Sequence, residues 1–236
     1  MSDFDRNVAA FPGAARTVAV DAGLRAHMIR VYNYMAGGVA LTGVVAYVTN
    51  AYFGQALYGS PMMYVLIFAP LALVFFLSFR IESLSASTAR ALFFVYAALV
   101  GASLSIIFAV YTDSSITRVF FISAAAFGGL SLWGYTTQRD LTGMGSFLMM
   151  GLIGIIIASL VNIFLRSSGL DWIISVIGVI VFAGLTAWDT QKIKEMYSPM
   201  DDGTVTGRKA VMGALSLYLD FINLFLMLLR LFGDRR

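Results

Sequence analysis

The stretch "AVMGALSLYLDFINLFLMLL", Ala210–Leu229, decides how this chain is read. Lys209 and Arg230 bracket it, and Asp220 is its one formal charge. About 20 apolar residues suffice for a helix to cross a bilayer core. A carboxylate at that depth costs at least ~2.5–3.5 kcal/mol, so it turns toward protein or water and not toward lipid. At helical spacing Gly213, Ser216, Asp220, Asn223 and Met227 share one stripe, and Leu, Phe and Ile fill the other faces. A single polar seam on an apolar helix is predicted to point at other helices.

Composition places the rest of the chain in the same solvent. Of 236 residues, 59% are hydrophobic and 12% charged, about half the roughly 25% usual in soluble domains. With a mean hydropathy of +0.83, that much apolar surface needs lipid around it. There is no cysteine, which excludes disulfides, thiolate catalysis and cysteine-held metals. The net charge of +3 is carried by residues flanking apolar runs, a pattern of membrane orientation and not of nucleic-acid binding.

Long uncharged runs fall at Val31–Ser60, Pro61–Phe79, Ala91–Thr112, Val119–Gln138, Leu141–Leu165, Trp172–Trp188 and Ala210–Leu229. Continuous apolarity without alternation predicts helices and not a barrel. The fold class is therefore an all-α membrane protein, a bundle of seven transmembrane helices spanning residues 28–236. Short connections such as "RSSGLD" and "YGSP" favour antiparallel neighbours and leave no room for a second domain. Ala124 with Gly128, and Gly154 with Ala158, are small-xxx-small pairs expected to let backbones approach closely. Met149 and Met150 read as lipid-facing or packing groups and not as a cofactor box, and "GGLSLWG" lacks the context of a dinucleotide loop.

Residues 1–27 read as a cytoplasmic tail, partly disordered before Gly13, followed by a short amphipathic lead-in. The one histidine, His27, reads as a solvated interfacial residue. With the N-terminus inside, eleven Lys and Arg fall on inner segments and five outside, supporting an N-in orientation. The basic tail "RLFGDRR" runs against that count, and a last segment that dips in and returns is the alternative.

A carboxylate in the seventh span needs a partner, and Asp189 in "GLTAWDTQKIKEMY" is the candidate, with Thr186 one turn before it. Helical signal continues past Asp189, which places it inside the sixth helix. Two facing carboxylates cannot both ionise cheaply and share a proton over some pH range. Such a pair can act as a latch, hydrogen-bonded when protonated and repelling when both are charged. Open, it offers hard oxygens to Ca²⁺ or protons, but calcium wants six to eight oxygens, so coordination by Asp189 and Asp220 would be transient. Arg80, at the inner end of the second span, is either a latch partner or a flanking charge. Ser216, Asn223 and Thr186 are the supporting polar seam.

"ALSLYLDFINLFLMLLRLFG", "VFAGLTAWDTQKIK" and "GYTTQRDLTGMGSF" resemble the Bax inhibitor-1 family, in particular its bacterial inner-membrane branch, over about residues 25–236. The resemblance implies a fold with the last helix at the centre of the other six. It also implies a pH-sensitive calcium leak gated by Asp189 and Asp220, with Arg80 holding the latch. Ala69 and Pro70 stand where some channel-like relatives carry an acid, so no further acidic pore ligand is expected there.

Two functions follow from different classes. One is a pH-gated calcium leak channel of the inner membrane that needs no cofactor. The other is a non-transporting regulator that binds a membrane-anchored protease or another membrane protein through its tail or the loop "SPMDDGTVTGRK". An intramembrane hydrolase is disfavoured, because the paired aspartates lack a GxGD motif and a serine or histidine partner.

Overall fold

A computed structural model describes residues 12–236, with side chains from residue 22 onward. The helices are α1 (Pro12–Leu57), α2 (Pro61–Arg80), α3 (Ala86–Leu104), α4 (Ile107–Val110), α5 (Asp113–Thr136), α6 (Thr142–Leu165), α7 (Ser168–Glu195) and α8 (Gly203–Phe232). Short α4 continues α3 after a break, so Ala86–Val110 makes one crossing, and seven helical units are long and apolar enough to span a membrane. Each predicted run is met by a helix. Proline sits at the first turn of α2, where its missing N–H costs nothing. Helix starts are fixed by side-chain caps: Ser85 accepts from the Thr88 amide, Ser167 from Leu170, and Asp202 from Val205 at 2.7 Å. Helix α1 reaches back to Pro12, so the lead-in and the first span are one helix. The tail expected to be disordered falls largely outside the described residues.

Helix α8 is the axis. In its apolar window 72% of residues are buried, against 11% in α6. Helices α1, α3, α5 and α7 pack directly on it, whereas α2 leans on α3 and α6 on α7. Tyr218, Leu217, Leu224 and Leu229 of α8 are fully enclosed. Inside lipid this cohesion comes from close packing, since tails are as apolar as leucine. The closest approaches use glycines other than the expected pairs. A Cβ on Gly101 would lie 2.6 Å from the Thr42 carbonyl, and one on Gly134 would strike the Ala187 backbone. By contrast, a Cβ on Gly128 or Gly154 meets nothing within 4 Å. Spacing alone finds small residues but not the face that meets a neighbour.

The 30-residue α8 is unbroken and, at 1.5 Å per residue, is long enough to cross a bilayer. It carries the C-terminus to the end where α5 and α7 begin. There Arg118 pairs with Asp234 at 2.9 Å and Arg236 with Asp113 at 2.8 Å. Arg230 and Arg235 approach Asp171 at 3.6 and 4.0 Å. No break in α8 marks a turn back, and the basic tail sits among acids.

Candidate functional site

The polar seam of α8 opens on a cavity of about 510 Å³ between α6, α7 and α8. Asp189, Ser216, Asp220 and Asn223 line it, with Ser159 as a further polar group, among Leu, Ile, Met and Phe. Periodicity puts this seam on the side of α8 that α6 leaves uncovered, because α6 packs on α7 and barely reaches α8.

Asp189 lies within α7, which runs past Trp188 to Glu195. Its carboxyl lies close enough to that of Asp220 for the two to interact, and both line the cavity. Asp220 is 4% exposed, and its Oδ2 receives no donor among the described residues. A contact between two carboxyls holds only when one carries a proton, which then bridges them. The remaining seam residues do not complete a ligand shell. Asn223 Nδ2 donates to its own Leu219 carbonyl at 2.8 Å, and Thr186 Oγ1 to the Phe182 carbonyl at 2.7 Å. No group of three or more metal-ligating side chains occurs among the described residues. The site is a carboxyl pair at membrane depth with open space beside it.

Arg80 is not brought to the aspartates. It is exposed at the end of α2, a helix that packs on α3 outside the shell touching α8. The cation near Asp189 is Lys192, one turn on in α7, which lies over the Trp188 ring at 5.0 Å. His27 also departs from expectation. It is 2% exposed, its ring 5.8 Å from that of Tyr197, and both ring nitrogens lack partners among the described residues. Because α1 begins upstream of the apolar run, the segment after α7 folds over the histidine.

Thr190 and Gln191, directly after Asp189, escaped sequence reasoning although they sit in the quoted motif. Gln191 Oε1 accepts from the Leu141 amide, and its Nε2 donates to the Arg139 carbonyl, both at 2.8 Å. Thr190 Oγ1 donates to the Thr186 carbonyl at 2.7 Å. Its one proton so committed, it accepts from Ser131 at 2.9 Å, and Ser131 in turn accepts from Tyr32 at 2.6 Å. These bonds fix the height and rotation of α7 at Asp189. Their signal was a polar run that continues a helix past its apolar part.

A buried carboxyl pair on the last two helices of a seven-helix bundle defines a class of membrane protein with an ionisable centre. The family profile described as "Inhibitor of apoptosis-promoting Bax1" matches residues 24–236. The chain is 49% identical to the inner membrane protein YbhL of Escherichia coli, over 96% of this chain and 99% of that one. It is 52% identical to a protein of Rickettsia prowazekii over 92% of each chain, and 45% identical to one of Caulobacter vibrioides over the whole of both. The chain belongs to the Bax inhibitor-1 family of membrane proteins.

Proposed function

We propose that this protein is a pH-sensitive cation leak channel of the bacterial inner membrane, with calcium as the permeant ion and Asp189 and Asp220 as its gate. The observation that carries this reading is the facing of the two carboxyls beside the α6–α7–α8 cavity. With one proton between them the pair is bonded and the helices are held. When that proton leaves, two like charges face each other across a poorly screened space, and their repulsion favours separation. The separated carboxylates are hard oxygen ligands that hold a divalent cation briefly, with Ser216 and Asn223 beside them. Leak therefore rises as pH rises through the titration of the pair. The test is calcium flux into liposomes containing the purified protein at several pH values. Flux equal to that of empty liposomes at every pH would defeat the channel reading in favour of the non-transporting regulator of a membrane-anchored protease.

The proposed orientation puts the N-terminus in the cytoplasm. Eleven basic residues against five support it, and the contrary signal of the tail is weakened by the pairing of its arginines with Asp113 and Asp171. Reporter fusions should place residue 236 on the periplasmic side. A cytoplasmic reporter at both ends would overturn the orientation.

A further inference from the structure

A second cavity, of about 520 Å³, opens between α1 and α5 near the end where α1 begins. The two helices are joined across its floor by the Tyr32–Ser131 hydrogen bond of 2.6 Å and otherwise stand apart. Its floor is buried: Met28, Phe127 and Ser131 are 3%, 7% and 3% exposed. Its lips, Ile29 and Leu132, are 49% and 63% exposed and face the bilayer. Gly128 lies in the wall, where a side chain would meet no atom within 4 Å. The cleft is thus a trough, apolar in most of its lining and open sideways to acyl chains.

One end of the trough is different. Arg25 stands exposed there, on the side that the charge count makes cytoplasmic. Beside it Tyr135 carries Lys194, whose Nζ donates to the Tyr135 carbonyl at 3.0 Å and sits 5.4 Å from its ring centre. Among the described side chains no carboxylate lines the cleft. An apolar trough that ends at Arg25, with Lys194 held behind Tyr135, matches one molecule in its surroundings, a lipid whose chain fills the trough and whose phosphate meets the basic end. Arginine suits that phosphate through its planar fork of donors, and basic pockets between helices on the cytoplasmic side recognise anionic headgroups.

We infer that the α1–α5 cleft is a binding site for an anionic phospholipid of the inner leaflet, its acyl chain along Gly128 and its phosphate at the basic end around Arg25. The site is separate from the carboxyl pair and does not depend on the channel reading.

Native mass spectrometry of the full chain in detergent tests it, with phosphatidylglycerol or phosphatidylcholine of the same acyl chains as probes. Wild type should retain phosphatidylglycerol in preference, and inorganic phosphate should not displace it. Arg25→Gln should lower phosphatidylglycerol retention about fivefold, the equivalent of about 1 kcal/mol per basic residue near a membrane surface, and leave phosphatidylcholine unchanged. Gly128→Leu should fill the trough and lower retention of both. Equal retention of the two lipids by wild type would overturn the proposal, as would Arg25→Gln behaving like wild type, a test that survives misfolding of the glycine variant. Displacement by inorganic phosphate would make this a free-anion site. A dimer lost in Gly128→Leu, with no lipid retained by wild type, would assign the trough to a second copy of the chain.

Discussion

Tyr218 and Asp220 stand two residues apart on α8, both buried, at 0% and 4% exposure. Their spacing turns them to nearly opposite sides of the helix, and the two sides treat a polar group differently. Thr42 Oγ1 donates its one proton to the Ala97 carbonyl at 2.8 Å, so the Tyr218 hydroxyl is the donor in the 2.6 Å bond between them. Phe93 and Tyr96 meet the Tyr218 ring edge-on at 5.8 and 5.7 Å. The Thr42 and Tyr218 hydroxyls thus have partners that need no titration. Asp220 instead faces another carboxyl and a cavity, with an oxygen that no donor among the described residues reaches. A satisfied buried group locks α8 to α1 and α3. An unsatisfied one leaves α7 and α8 dependent on a proton.

The largest effect on stability should come from emptying the satisfied side. Tyr218→Ala removes a fully enclosed ring and strands Thr42 as an acceptor. The expected loss is about 3–5 kcal/mol, in line with truncation of large aromatic core residues. Thermal unfolding in detergent measures it. A variant as stable as wild type would show that α8 is not the axis of the bundle.

On the other side the expected change is in response and not in stability. Asp220→Asn keeps shape and hydrogen-bonding capacity but ends the sharing of a proton. Calcium flux into liposomes should lose its pH dependence while the unfolding temperature stays near wild type. Asp189→Asn should do the same, and the double variant should add little, because neither residue titrates as a pair member alone. A pH profile that survives both substitutions would leave a channel in place but remove the aspartates as its gate.

How much of this contrast was legible in the chain depends on the kind of signal. Seven apolar runs are long-range features that lipid alone imposes, so the spans emerged with little tertiary information. The Asp220 seam was legible because one charge in an apolar helix has few places to go. Its partnership with Asp189 drew on the motif and the continuing helix, and both residues do meet at the cavity. Tyr218 gave no such signal. A tyrosine in a membrane helix suits an interface, a core or a lipid face, and only Thr42, 176 residues away in the chain, distinguishes them. The latch alternative for Arg80 and the solvated setting expected of His27 differ from the structure for a common reason. Their settings depend on how α2 and the segment after α7 pack, and terminal residues of apolar runs look alike in sequence.

A finer cut on the satisfied side is Tyr218→Phe, which keeps the ring and deletes one donor. Thr42 retains its own bond to Ala97, so the network shortens without leaving an unpaired proton. Interhelical side-chain bonds in membranes average about 0.6 kcal/mol in double-mutant cycles, and a loss of that size is expected. The pH profile of flux should not move. A shifted profile would mean that the two sides of α8 communicate, and the contrast drawn between them would fail.

The smallest effect belongs to a carboxylate in a third setting. Asp140, in the exposed turn before α6, accepts from the Thr142 amide at 2.8 Å through Oδ1. Hydrogen bonding from the Thr142 side chain and backbone holds its carboxyl below the ordinary carboxylate value. The sign follows from that direction. The folded chain favours the ionised form, so this support for the first turn of α6 is complete above the unfolded value near 3.8 and is lost as pH falls through the lower folded value. Water competes for every atom involved, and Asp140→Ala should leave both global unfolding and calcium flux unchanged at neutral pH. Protection of the Thr142 amide, taken as its exchange rate relative to the intrinsic rate at the same pH, should fall in the variant, and in wild type should fall only at acid pH. If Asp140→Ala altered the pH dependence of flux at neutral pH, proton sensing would not be confined to the buried pair, and burial without a donor would lose its place as the feature that separates Asp220 from the other acids of this chain.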